Sequence, residues 1–149
     1  MNNLKELLDE KGRGLHTIDA ESSVYEAIGL MAEHNVGALV VTSGSSPMAG
    51  IISERDYARK VILKDRSSRD TRVSEVMSSP VIHVREDTPL DHCMSLLVQK
   101  KIRHLPVVAG YTPVAMITPG DVMQSMIREL TLTIEQLESF MYAEEGGEG

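Results

Sequence analysis

The chain has 149 residues and a formal net charge of −7. That length supports one compact core without disulfide or metal staples, and the acidic balance argues against a general nucleic-acid binder, which needs a basic face to neutralise phosphates. Four Tyr, one Phe and no Trp offer no stacking platform for single strands, and no apolar run reaches the ~18 residues of a membrane span.

In chain order, the opening MNNLKELLDEKGRG lacks a secretory apolar core. Leu4, Leu7 and Leu8 recur at helical spacing, and Gly12 and Gly14 end that lead-in helix, residues 1–15. A short strand is predicted at His16–Ile18. Ser23, with Glu26 three residues on, is a candidate capping box for a helix striped by Val24, Ala27, Ile28 and Met31. Strands follow at Gly37–Val41 and Ala49–Ser53 around a turn at Ser43–Pro47, then a helix from about Arg55. The polar stretch Leu63–Thr71 reads as a linker, and Val73–Met77 as a short helix echoing the N-terminal one. Thr88 is the expected N-cap of the next helix, with Pro89 at its first position, where the missing N–H costs nothing. Leu90, Cys93, Met94 and Leu97 form its stripe. Strands Arg103–Val108 and Val114–Thr118 flank a turn containing Gly110. From Gly120 a helical pattern continues through Leu130, Ile134, Leu137 and Met141, spaced four, three and four. That seam suits either a helix packing on its own domain or one pairing with a second chain. The acidic, Gly-rich tail Glu144–Gly149 is expected to be disordered. Cys93, the single cysteine, excludes an internal disulfide and fits a reducing compartment, here the cytoplasm.

The two halves repeat each other. Ile18 falls on Val84, Val24 on Leu90, Met31 on Leu97, Val36 on Ile102 and Leu39 on Leu105. After a loop one residue shorter, Ile51-Ile52-Ser53 falls on Met116-Ile117-Thr118 and Asp56 on Asp121. A repeat of this length cannot bury its apolar face alone. Two copies back to back, residues 16–62 and 78–127, make one core with clefts near a pseudo-two-fold axis. Residues 63–77 connect them, and 128–149 extend the last helix.

Within GIISERD and AMITPGD, Ser53 and Thr118 stand at strand ends, each three residues before an Asp that opens a helix. Helix capping accounts for either copy alone. Two copies in register at the repeat interface point further, because a carboxylate presents only acceptors and can take both hydroxyls of a ribose. Arg55 lies beside Asp56, and Arg103-His104 opens a strand; an acidic protein that binds an anion needs such a local positive cluster. The first copy carries Gly37-Ala38 at those positions, so the two clefts should differ. The five His show no metal-ligand spacing. No GxxxxGK[ST], GxGxxG or GxSxG occurs, and no catalytic constellation is evident.

The words AIGLMAEHNVGALVV, GIISERDYARKVI, VSEVM, VIHVREDTPL and KIRHLPVV resemble a tandem pair of cystathionine-β-synthase (CBS) domains, a Bateman module, over most of the chain. The resemblance implies an α+β fold: two β-α-β-β-α repeats packed as a pseudo-two-fold pair, here with an extended C-terminal helix. It implies clefts for an adenine nucleotide, AMP first and ADP, ATP, NAD or S-adenosylmethionine as alternatives, with no metal, and pairing into a homodimer. One cleft would use Thr118 and Asp121 on the ribose, Arg103 and His104 on phosphate, and the regions of Thr17, Val36 and Gly37 around adenine. The other would use Ser53 and Asp56 with Arg55, and Val81, His83 and Ile102. Ala115 replaces the family's usual Gly, and Pro119 threatens to reshape the loop at Thr118. The expected role is a non-catalytic sensor signalling to a downstream protein. A nucleotide-independent dimerising scaffold is the alternative.

Overall fold

The structure, a computed structural model, describes residues 4–147, with side chains described through residue 143. Helix α1, Leu4–Lys11, ends at Gly12, whose φ of +100° suits glycine and strains other residues. The first half then runs β1 (Thr17–Asp19), α2 (Val24–His34), β2 (Ala38–Ser43), β3 (Ser46–Ser53) and α3 (Glu54–Lys60), with a 3₁₀ turn at Ile62–Lys64. The second runs α4 (Val73–Val76), β4 (Val84–Arg85), α5 (Leu90–Gln99), β5 (Leu105–Ala109), β6 (Thr112–Ile117) and α6 (Pro119–Gly147). Each half builds a three-stranded sheet in chain order, its first pair parallel and its second antiparallel. Only a crossover helix, α2 or α5, can connect the parallel pair. The fold is thus α+β, and β3 lies against β6 where the two sheets meet.

Local chemistry explains the element ends. Ser23 Oγ accepts the Glu26 N–H at 3.1 Å and starts α2, while Asn35 closes it at φ 53°. Three expectations need correction. The first hairpin is tighter than Ser43–Pro47, because β3 already begins at Ser46. Pro89 is the N-cap of α5, with extended backbone at ψ 145°, and Thr88 Oγ1 instead accepts the Arg85 N–H at 3.1 Å. The tail is helical as far as Gly147, since adding residues to an existing helix is far easier than starting one. Residues 148–149 lie outside the described residues.

Each half has its own core rather than the single shared core expected, and the lead-in helices are exchanged between them. Val73 and Val76 of α4 complete the first core with Val24, Met31, Leu39 and Ile52. Leu4, Leu7 and Leu8 of α1 complete the second with Leu90, Leu97, Leu105 and Ile117. The backbone repeats the exchange: Val73 N donates to Ser22 O at 2.8 Å, and Leu4 N to Thr88 O at 3.2 Å. Burying each leucine stabilises by roughly 1.5–3 kcal/mol, so α1 is fixed to the second half. Cys93 is buried here, and burial, with help from Asp91, pushes its thiol up to about 11. The exchange ties the halves together, and the turn at Ser53 lies where they meet.

Candidate functional site

A cleft of about 760 Å³ opens between the two halves at the end of β3. Its centre is the turn from β3 into α3. Ser53 Oγ accepts the Asp56 N–H at 3.2 Å, and Asp56 Oδ2 accepts the Ser53 N–H at 2.9 Å, a reciprocal capping box. The Ser53 hydroxyl also reaches Asp56 Oδ2 at 3.1 Å. Asp56 Oδ1 pairs with Lys60 at 3.0 Å, and Lys60 is steadied by the Val76 carbonyl at 2.9 Å. The Asp56 carboxylate is thus oriented by bonds from its own helix, with its side chain 12% exposed.

The far wall comes from the second half. Ile51 and Ser78 exchange backbone hydrogen bonds at 3.1 and 2.9 Å, which draws Pro80, Val81 and Ile82 alongside β3. Together with Ile51 and Ile102 they give the cleft an apolar side. Arg55, Arg59, Lys60, Lys101 and Arg103 also line it, together with the carboxylates of Glu54 and Asp56. In a chain of net charge −7 this local excess of cations makes the cleft attractive to an anion. His104 lines it as well. Burial lowers its pKa below the usual histidine value, opposed by Glu54, assisted by Arg103 and opposed more weakly by Asp56. Gly37 lets it approach, because a Cβ at 37 would stand 3.0 Å from His104 Nε2.

The second turn is built alike and furnished differently. Thr118 N donates to Asp121 Oδ2 at 2.8 Å, and Asp121 N to Thr118 Oγ1 at 3.3 Å. Pro119 is accommodated as the first residue of α6, where no N–H is required. Asp121 Oδ2, however, is met by Lys11 Nζ at 2.7 Å, and the same ammonium donates to Met116 O at 2.8 Å. The space left beside Asp121 is about 130 Å³ and lies between α1 and α6.

The expected site residues are therefore regrouped. Ser53, Arg55, Asp56, Val81 and Ile102 line one cleft together. His83 stands next to it, its Nδ1 3.0 Å from Val81 O. Gly37, Arg103 and His104, expected with Asp121, instead line the Ser53–Asp56 cleft. The reason is their place near the pseudo-two-fold axis: Gly37 and Arg103 are counterparts in the repeat, and Gly37 touches His104. Thr118 and Asp121 stay paired, whereas Thr17 lies on β1 beside Val40 and Val36 packs against the first core. Lys60 and Lys101 were missed. Lys60, four residues beyond Asp56 on one helix, is the partner that helical spacing foretells. Among the described residues no cluster of three or more His, Cys, Asp or Glu could hold a metal ion, and no helix is long and apolar enough to cross a membrane.

Comparison with known proteins follows the same division into halves. The CBS domain model matches twice, at residues 11–63 and 73–128. A mitochondrial CBS domain-containing protein of Arabidopsis thaliana is 36% identical over 125 residues; the match covers 81% of this chain and 61% of the relative, so the chain spans under two thirds of that protein. A solved protein with CBS domains from Burkholderia ambifaria superposes with a TM-score of 0.80 at 42% identity, covering 85% of this chain and 95% of that one. A CBS domain pair solved with 5′-methylthioadenosine and S-adenosyl-L-methionine superposes with a TM-score of 0.76 at 25% identity, covering 87% and 98%. Two matched repeats, two sheets meeting across a pseudo-two-fold and the exchanged lead-in helices lead to one conclusion: the chain belongs to the CBS domain family, as a tandem pair.

Proposed function

We propose that this chain is a non-catalytic regulatory module that binds an adenine nucleotide in the Ser53–Asp56 cleft and passes its occupancy to a partner protein. The observation that carries this reading is a strongly basic cleft, in an acidic chain, built around one oriented carboxylate. Asp56 is an acceptor for ribose hydroxyls. In this reading Arg55, Arg59, Lys101 and Arg103, which line the cleft, would take the phosphate, and Ile51, Val81, Ile82 and Ile102 would cover the faces of adenine. The related pair solved with two adenosine derivatives supports the ligand class. AMP is the ligand we favour, with ADP, ATP, NAD and S-adenosylmethionine as alternatives.

The protein acts in this reading as a homodimer in the cytoplasm. Met123, Ile127, Leu130, Ile134, Leu137 and Met141 repeat at alternating spacings of four and three along α6, each 53–63% exposed. Ile127 and Ile134 then take the first core position of a heptad and Leu130 and Leu137 the fourth, the arrangement of a parallel two-stranded coil. The signal is a change in the relative pose of the halves or of two chains, limited by the ligand's differential affinity for the two poses.

Calorimetric titration with AMP, comparing wild type with Asp56→Asn, tests the site. Losing a charge-assisted hydrogen bond of ~1.5–3 kcal/mol should weaken binding about 10- to 100-fold. Unchanged affinity would remove Asp56 from the site.

A further inference from the structure

The two oxygens of the Asp56 carboxylate have different partners. Oδ2 belongs to the turn, where it accepts the Ser53 N–H at 2.9 Å and the Ser53 hydroxyl at 3.1 Å. Oδ1 takes no part in that cap, and among the described residues it meets only the Lys60 ammonium, at 3.0 Å. Oδ1 therefore keeps room for a further donor, and it is the acceptor that a ligand hydroxyl would find. Lys60 is held with similar definition. Its ammonium has three N–H groups and two acceptors in the chain, Val76 O at 2.9 Å and Asp56 Oδ1. One donor is left over, on a residue that lines the cleft. An ion pair between positions i and i+4 of a helix holds a lysine only weakly. The second anchor comes from another element: Val76 ends α4 and is buried in the first core. The cap itself does not require this lysine. Its counterpart in the second half is Ser125, and the Thr118–Asp121 turn forms its reciprocal bonds all the same.

We infer that Lys60 is a specificity residue for the sugar: with Asp56 Oδ1 it forms a donor–acceptor pair that recognises two adjacent hydroxyls and so selects ribonucleotides over deoxyribonucleotides. The inference rests on the nucleotide reading above and adds which group reads the ribose beside Asp56. A hydroxyl both donates and accepts. One hydroxyl donates to Oδ1, and the oxygen of its neighbour accepts the remaining Lys60 N–H. The two protein atoms stand 3.0 Å apart, so hydroxyls on adjacent carbons can address them together. A sugar with one of the two leaves either the carboxylate oxygen or the ammonium unanswered, and a site built to bond a hydroxyl rejects the analogue that lacks it. The other cleft cations are suited to a different task. Arg55, Arg59, Lys101 and Arg103 make no ion pair or hydrogen bond among the described residues and are free for an anion, whereas the charge of Lys60 is already balanced by Asp56.

The test is calorimetric titration of the full chain with AMP and ATP, each also in its 2′-deoxy and 3′-deoxy form, on wild type, Lys60→Met, Lys60→Gln and Asp56→Asn. Wild type should bind each ribo form about 10-fold or more tightly than either deoxy form, the loss of one charge-assisted hydrogen bond. Lys60→Met keeps the aliphatic stem. It should weaken the ribo forms by about the same factor and leave one of the two deoxy forms unchanged, so that the preference over that form disappears. Lys60→Gln should lose most of the same preference, and it decides the matter if Lys60→Met melts at a much lower temperature. Equal weakening of ribo and deoxy forms, as a purely structural role would give, overturns the inference, and so does a preference that neither variant moves. A loss larger for ATP than for AMP and equal for ribo and deoxy forms assigns Lys60 to phosphate and overturns it as well. Where Asp56→Asn loses affinity and the Lys60 variants keep their preference, the inference falls and the nucleotide site stands. Binding undiminished in Asp56→Asn, or none in wild type, overturns both.

Discussion

Gly50→Ala is the substitution whose outcome the structure constrains most tightly. Gly50 lies on β3, opposite Val41 and one residue before Ile51, whose backbone holds Ser78 and the cleft wall. A Cβ at 50 would stand 2.5 Å from Met77 Sδ, 2.9 Å from Met77 Cγ and 3.0 Å from the Ser78 carbonyl oxygen. Ordinary carbon contacts begin near ~3.5 Å, so the methyl intrudes by roughly 0.5–1 Å on three atoms. Met77 can swing its sulfur away, though it is packed against the first core. The Ser78 carbonyl cannot retreat without stretching the Ile51–Ser78 pair. Overpacking of this kind costs about 1–3 kcal/mol, and for a chain of this size ~2 kcal/mol lowers Tm by roughly 4–8 °C. The double variant Gly50→Ala/Met77→Ala should recover part of that loss and not all of it, because the carbonyl contact persists. Nucleotide affinity should fall in both, since the wall moves. Thermal unfolding with calorimetric titration measures each quantity. A Gly50→Ala protein with wild-type Tm and affinity would refute the reasoning. Ala115 at the corresponding place in the second half is consistent with it, since there the chain continues as α1 rather than crossing over β6.

His104 supplies a pH prediction. Its folded pKa is lowered, so as pH falls through the unfolded value near ~6.5 the unfolded chain takes up the proton first. Stability should therefore be fully present above that value and decline as pH drops below it, and His104→Gln should flatten this part of the profile in pH-dependent melts. A nucleotide phosphate beside His104 would favour the imidazolium, so AMP should bind with proton uptake that grows as pH falls towards ~6.5, measured as a buffer dependence of the calorimetric enthalpy. The α6 seam predicts that Leu130→Glu/Leu137→Glu shifts the mass in solution, read by light scattering, from dimer to monomer while the thermal melt of the paired halves stays within a few degrees. A wild-type monomer would dispose of the seam.

Much of this architecture is legible in the chain itself, for identifiable reasons. The repeat aligns Ser53 with Thr118 and Asp56 with Asp121, and apolar stripes such as Val24, Ala27 and Met31 find the core by helical periodicity. Both Asp residues form their reciprocal caps, Pro119 notwithstanding. What periodicity cannot convey is which cleft a residue near the axis will face. Gly37, Arg103 and His104 sit at that boundary, and repeat symmetry alone allows either side. The cations contributed by Lys60 and Lys101 were obscured in the sequence by the ordinary frequency of lysine on solvated helix ends. Lys11 depended on a long-range fact, the docking of α1 on the second half. The length of α1 was readable, ended by Gly12, and so was its excess over VSEV; where the extra turn would land was not.

The most direct test of the account is thermal unfolding of nucleotide-stripped protein against AMP, ADP, ATP, NAD and S-adenosylmethionine, run in parallel on Asp56→Asn. A ligand at a hundred times its dissociation constant adds about 2.7 kcal/mol to the native state, a rise of roughly 5–10 °C for a domain of this size. The account predicts such a rise with one adenine nucleotide in the wild type and its loss in Asp56→Asn. A flat panel with clean two-state melting, or an equal rise in both proteins, would contradict it.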